Sequence, residues 1–228
     1  MIKRVLLASL AALAFRAEAA PINFFNTSFD VLAVATTNDG AAGVDANSSA
    51  TTLVSASAFS LGATDIATAG ANAGPGLLST SADASSTSAI TTGSSTASFS
   101  GSFLTNGWLI LNINLLFDDT EFGTGSSDTS LYVELTSDGN TLFADYLSAS
   151  RQFVYNLYGA TSATLALTLS SQATAGFPTN GVGDASAFGL VTFDGTTIPL
   201  PATPLLVLLG LGMMVVVRRH QPRAISVA

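Results

Sequence analysis

The chain contains no cysteine and one histidine in 228 residues. Of its seven basic residues, six (Lys3, Arg4, Arg16, Arg218, Arg219 and Arg223) lie in the terminal segments. Between Pro21 and Thr197 the sole base is Arg151, and His220 lies beyond that stretch. Each absence removes a class of chemistry. Without thiols there is no disulfide framework, no thiol catalysis, no thiolate zinc site and no haem attached through cysteine. Without histidine or lysine, the central region cannot build a Ser-His-Asp triad, a Cys-His dyad, a Ser-Lys pair or a His-ligated metal. The expectation is a non-enzymatic protein. A sustained helical period is also missing from this region.

Carboxylates are plentiful. Fourteen of the 15 lie between Pro21 and Thr197, where a single base leaves a net charge of −13. So acidic a surface repels nucleic acid and anionic lipid, favours solubility and attracts divalent cations. Fewer than 180 residues remain between the two ends, a length that suits one domain with its own core.

Both ends carry processing signals. Lys3 and Arg4 precede an apolar stretch from Val5 to Phe15, and Ala17-Glu18-Ala19 places small residues where a signal peptidase reads them. Cleavage is expected after Ala19 or Ala20, so residues 1–19 form a signal peptide. The apolar stretch is too short to span a bilayer. At the other end, Ile198-Pro199-Leu200-Pro201-Ala202 leads into an uncharged run that closes on Arg218 and Arg219. Thr203 can cap a first helical turn, and Pro204 suits the first helical position, where its missing N–H has no partner anyway. A transmembrane helix over 204–217 would be about 21 Å long, a marginal span. Export through the N-terminal signal leaves Arg218, Arg219 and Arg223 in the cytoplasm, as the positive-inside rule requires.

This order of motif, apolar segment and basic stop resembles the PEP-CTERM class of bacterial sorting signals. In the matching variant the motif reads Val-Pro-Leu-Pro-Ala, and here Ile198 stands in place of Val. The resemblance covers the last 30 or so residues. It implies recognition by an exosortase-type membrane protease or transpeptidase. An inner-membrane-anchored precursor would then be delivered to the cell surface or to an exopolysaccharide matrix. The tail running on from Gln221 to Ala228 departs from the usual pattern. A plain C-terminal membrane anchor is the alternative reading.

Residues 20–197 are expected to form one exported domain, with 198–228 as the sorting signal and 218–228 as its basic tail. Pro21 to Ala35 reads as one or two strands, and Thr52 to Leu61 as the best strand in an Ala/Gly/Ser/Thr-rich stretch from Thr36 to Gly76. From Ser79 to Ser98, 18 of 20 residues are Ser, Thr, Ala or Gly. Such a run is either flexible, and open to glycosylation, or a pair of strands with small side chains packed under a neighbouring sheet. The absence of proline favours strands. In Gly107 to Phe117, residues Leu109, Leu111, Ile113, Leu115 and Phe117 share one face, as a long half-buried strand requires. Leu131 to Thr136 alternates likewise, and Asp138-Gly139-Asn140 predicts a hairpin turn into 141–148. Further strands fit 152–158, 164–170 and 187–193. The fold class is all-β: an antiparallel β-sandwich of jelly-roll type, flanked by a signal helix and a transmembrane helix.

Asp118, Asp119, Glu121 and Asp128 form the densest polar cluster, expected in a loop after the long strand. Calcium is the metal such oxygens would suit, although the order of residues does not match an EF-hand; solvated loop acids are the alternative. Asp118 and Glu121 could also be proposed as the two carboxylates of a glycosidase. Trp108, Tyr132, Tyr146, Tyr155 and Tyr158 offer faces for sugar stacking, Tyr132 best because it shares a face with Glu134, and otherwise serve as core or cross-strand residues. A calcium-dependent carbohydrate-binding module, anchored at or released from the surface, is therefore the second functional expectation.

Overall fold

In the computed structural model the described residues are 19–199, apart from 88, 106, 158, 161 and 177–180. Ala17, Leu200, Pro201, Ala202, the segment 204–217, Arg218 and Arg219 lie outside them, and so do both expected flanking helices and Tyr158. Among the described residues no helix is long and apolar enough to cross a membrane.

The chain forms two antiparallel sheets. After β1 (Ala20–Pro21), β2 (Phe25–Thr36) and β3 (Gly43–Ser49) pair as neighbours. Next, β4 (Val54–Leu61), β5 (Ile66–Gly74) and β6 (Leu77–Ser86) run as a meander. The chain continues through β7 (Thr91–Leu104), β8 (Gly107–Gly123), β9 (Ser126–Ser137) and β10 (Asn140–Leu147). It closes with β11 (Arg151–Asn156), β12 (Ser162–Ala175) and β13 (Gly183–Pro199). One sheet has the order β11-β8-β13-β6-β5-β4, with β1 also on β13; the other has the order β10-β9-β12-β7-β2-β3. The all-β expectation holds, and the two sheets face each other as a sandwich.

Period-two alternation builds the core. Leu109, Leu111 and Ile113 of β8 are buried, while Trp108 between the sheet and solvent remains 41% exposed. Leu131, Val133 and Leu135 of β9 face inward with Leu165, Leu167 and Leu169 of β12. Each fully buried side chain of this size removes enough apolar area from water to contribute about 1.5–3 kcal/mol. Asp138 and Gly139 adopt φ of 46° and 80°, the paired positive values of a tight hairpin turn between β9 and β10.

The inward positions change in size along the sandwich. Near the end where β13 finishes, Phe29, Phe99, Phe103 and Phe193 fill the space, and Phe24 meets Phe99 edge-on at 5.1 Å. Toward the other end the buried positions are alanines, including Ala82, Ala84, Ala173 and Ala187. A sheet lined with alanine lets its partner approach closely. At Gly93 of β7 the approach is nearly backbone to backbone: a Cβ there would meet the carbonyl oxygens of Thr68 and Asp83, the latter at 2.7 Å. Within the Ser/Thr/Ala run, residues 79–86 thus belong to β6 and 91–98 to β7, with Thr80, Ala82, Ala84, Ser95 and Ala97 turned inward.

Two expectations need correcting. The stretch 36–76 holds three strands rather than one strong candidate, because β3 and β5 also form. Alanine and glycine lack intrinsic strand preference, so β5 (IATAGANAG) owes its order to pairing on both sides with β4 and β6. In addition, β8 does not end at Phe117. It runs on to Gly123 because β13 pairs with it continuously, from Gly183↔Gly123 to Pro199↔Gly107.

Replacing Gly93 by Ala should lower the unfolding free energy by about 1–3 kcal/mol through overpacking. Ser94→Ala, on the outer face of the same strand, should change it by less than about 0.5 kcal/mol. Urea unfolding of the two variants compares them directly.

Candidate functional site

The four acids read as a loop cluster lie on strands. Asp118, Asp119 and Glu121 belong to β8 and Asp128 to β9. Because side chains alternate along a strand, Asp118 shares the outer face of Trp108, whereas Asp119 and Glu121 share the inward face of Leu109. Asp128 lies on the outer face of the opposite sheet, paired with Gln172. The structure therefore does not bring the four together. Asp118 and Glu121 occupy opposite faces of one strand and cannot flank a common glycosidic bond. Among the described residues no group of three or more acidic side chains is arranged to hold a metal ion.

What these acids do instead follows from the scarcity of bases. A carboxylate without a cation accepts hydrogen bonds from neutral donors. Glu121 Oε1 accepts from the Ser127 N–H at 2.7 Å and so ties the turn between β8 and β9. Asp83 lies between two neighbours, accepting from Thr68 Oγ1 at 2.9 Å and Ser186 Oγ at 2.7 Å. Asp194 accepts from Asn112 at 2.7 Å, and Asn112 in turn accepts from Gln152 at 2.8 Å, a polar ladder across three strands. Asp65 is 2% exposed and takes the Thr87 N–H at 3.0 Å.

Asp119 has the most consequential partner. Its Oδ1 accepts from Thr129 Oγ1 at 2.6 Å. Thr129 is 3.2 Å from Ser171 Oγ, and Ser171 is 2.7 Å from Thr80 Oγ1. This chain of hydroxyls begins on β8, passes through β9 and β12 of the opposite sheet, and returns on β6. Ser171 and Thr80 are each 1% exposed. Room for it is made by Gly189 of β13, where a Cβ would meet Thr129 Cγ2 at 2.8 Å and Thr80 Oγ1 at 3.0 Å. Sequence reasoning missed this network, since Thr80, Thr129 and Ser171 lie on three strands and no spacing relates them.

Arg151, the one base of the region, stands over two rings, 5.3 Å from the centroid of Phe143 and 4.9 Å from that of Phe153. These belong to β10 and β11, so the guanidinium closes the open side between the sheets by cation–π contact. Tyr155 stacks on Phe153 at 6.3 Å. Tyr132 and Tyr146 pair directly across β9 and β10, with ring centroids 5.3 Å apart and Tyr146 66% exposed. Glu134 is two residues along on the same face.

The two ends of the described chain meet. Ala20 pairs with Thr197 and Pro21 with Thr196, and the Ile22 N–H donates to the Gly195 carbonyl at 2.9 Å. Gly195 lets the Ile22 side chain lie over it, since a Cβ there would strike Ile22 Cδ1. Ala19, at the expected cleavage site, is exposed immediately before this bridge. The first two motif residues belong to the sheet, Ile198 paired with Trp108 and Pro199 with Gly107. No protein-family model and no curated protein matches the chain.

Replacing Ser171 by Ala should cost about 1–3 kcal/mol, because Thr80 then loses its partner in a buried position. A fall in the midpoint of urea unfolding, with an unchanged slope, is the expected outcome.

Proposed function

We propose that the chain is a non-enzymatic exported protein, sorted through residues 198–228 and retained at the cell surface or released into an extracellular matrix. In this reading a signal peptidase cuts at Ala19, and an exosortase-type membrane enzyme acts on Ile198 to Ala202. The apolar segment 204–217 and the stop residues Arg218 and Arg219 hold the precursor in the membrane. The observation that carries it is the Ala20↔Thr197 bridge. Two segments whose sequences call for the same membrane join the domain at one place, so a precursor held at both ends places no strain on the sandwich. The motif composition and its resemblance to PEP-CTERM signals supply the rest. The strand orders β6-β13-β8-β11 and β7-β12-β9-β10, joined mostly by crossings between sheets, support reading the passenger as a jelly roll with β2 to β5 added at one side.

Replacing both Pro199 and Pro201 by Ala should leave the tail attached in the native host. Intact mass and cell fractionation read the outcome: an unchanged mass and location would remove the sorting proposal.

A second reading is favoured by the tyrosine pair. Tyr132 and Tyr146 beside Glu134 offer ring surface and a hydrogen-bond acceptor on one outer face, as a polysaccharide-binding platform requires. It rests on aromatic faces and does not call on the dispersed acids or on calcium. Tyr146→Ala should weaken binding of the host's polysaccharide about tenfold by calorimetry, a loss of about 1.4 kcal/mol. No heat with the unaltered protein would end this reading.

A further inference from the structure

The acids of the sandwich are unevenly placed. Asp65, Asp83, Asp119, Glu121, Asp128 and Asp184 gather toward the end where β8 turns into β9 and β13 begins. The opposite end, where β7 and β13 finish and β8 starts, is different. Among the described residues Asp138 is the one carboxylate within two ladder positions of that end, where its N–H donates to the Ser162 carbonyl at 3.2 Å. Exposed apolar side chains stand around it instead: Leu104 is 72% exposed, Trp108 41% and Phe25 39%. Leu104 is the last residue of β7, Phe25 pairs with Ser102 of the same strand, and Trp108 lies beside Ile198. The acidic end has exposed apolar groups too, but Phe122 pairs with Asp184 there, and an anionic lipid surface repels that combination.

The chain leaves from the acid-poor end. Five Cα steps separate Pro199 from Pro204, so the sandwich lies within about 18 Å of the first residue of the apolar segment. Those intervening residues carry no charge. Tryptophan favours the interface between headgroups and acyl chains, where its ring is half in each medium. We propose that this end of the sandwich rests on the lipid surface while the tail is attached, with Trp108 and Leu104 in the headgroup layer and the acidic end directed away. The occupant of the apolar end is thus the bilayer itself. The inference rests on the reading that 204–217 inserts into that bilayer. It also refines the effect of charge: the net charge repels anionic lipid, but its distribution leaves one end free to approach.

Trp108 is the only tryptophan of the chain, so its fluorescence reports this site alone. The full chain is reconstituted into vesicles of phosphatidylcholine and phosphatidylglycerol, with flotation measured first. Lipids brominated near the headgroup end of their acyl chains should then quench the emission about twofold, and the vesicles should shield it from iodide. Leu104→Asp, a change at an exposed side chain, should restore access to iodide. A chain that floats with the vesicles, yet shows no bromine quenching and open access to iodide, overturns the docking and leaves the anchor intact. A chain that fails to float overturns the anchor, and the docking with it.

Discussion

The distance between the two sheets is the constraint on which the rest of the molecule depends. It is set by what the inward positions carry, and these range from phenylalanine around Phe99 and Phe103 to alanine around Ala82 and Ala187. Close-packed interiors tolerate neither gaps nor overlap, so the backbones must follow the side chains. Where alanine lines both sheets, the strands approach until Gly93 has no room for a Cβ. Hydroxyls fit in the same narrow space because they are small and can satisfy one another, as Thr80, Ser171 and Thr129 do. At the wide end Phe24 meets the rings of Phe99, Phe103 and Phe193 edge-on, and the described chain begins and ends beside them.

Scarcity of bases shapes the surface as strongly as size shapes the interior. With Arg151 committed to the rings of Phe143 and Phe153, the carboxylates take backbone N–H groups, hydroxyls and amides as partners. Hydrogen bonds to a charged acceptor stabilise more than neutral ones, about 1.5–3 kcal/mol against about 1. They also ask little of the chain, since serine and threonine are plentiful on β6, β7, β9 and β12. The acids therefore have a structural use that calls on neither a metal nor a substrate.

Strands with large apolar residues were legible in advance. Leu109, Leu111 and Ile113 declare a buried face by their spacing, and Asp138-Gly139-Asn140 declares its turn through residues that accept positive φ. The alanine-rich strands were not legible with the same force. The pattern of β5 carries almost no hydrophobic contrast, and its neighbours hold it in place. The acids illustrate the opposite error. Asp118 to Glu121 look like a loop because polar residues end most strands, but β13 is long enough to pair with β8 past that point.

By itself the sequence determined the all-β class, the inward faces of the leucine-rich strands and the lack of cysteine, histidine and lysine between Pro21 and Thr197. These are properties of composition and of neighbours a few residues apart, which the linear order displays. Tertiary structure alone decided that Asp118 and Asp128 face away from each other, that Thr80 joins Ser171, and that Ala20 lies beside Thr197. Those relations link residues brought together by strand order and register, and register is settled only when two strands bury their faces against a third.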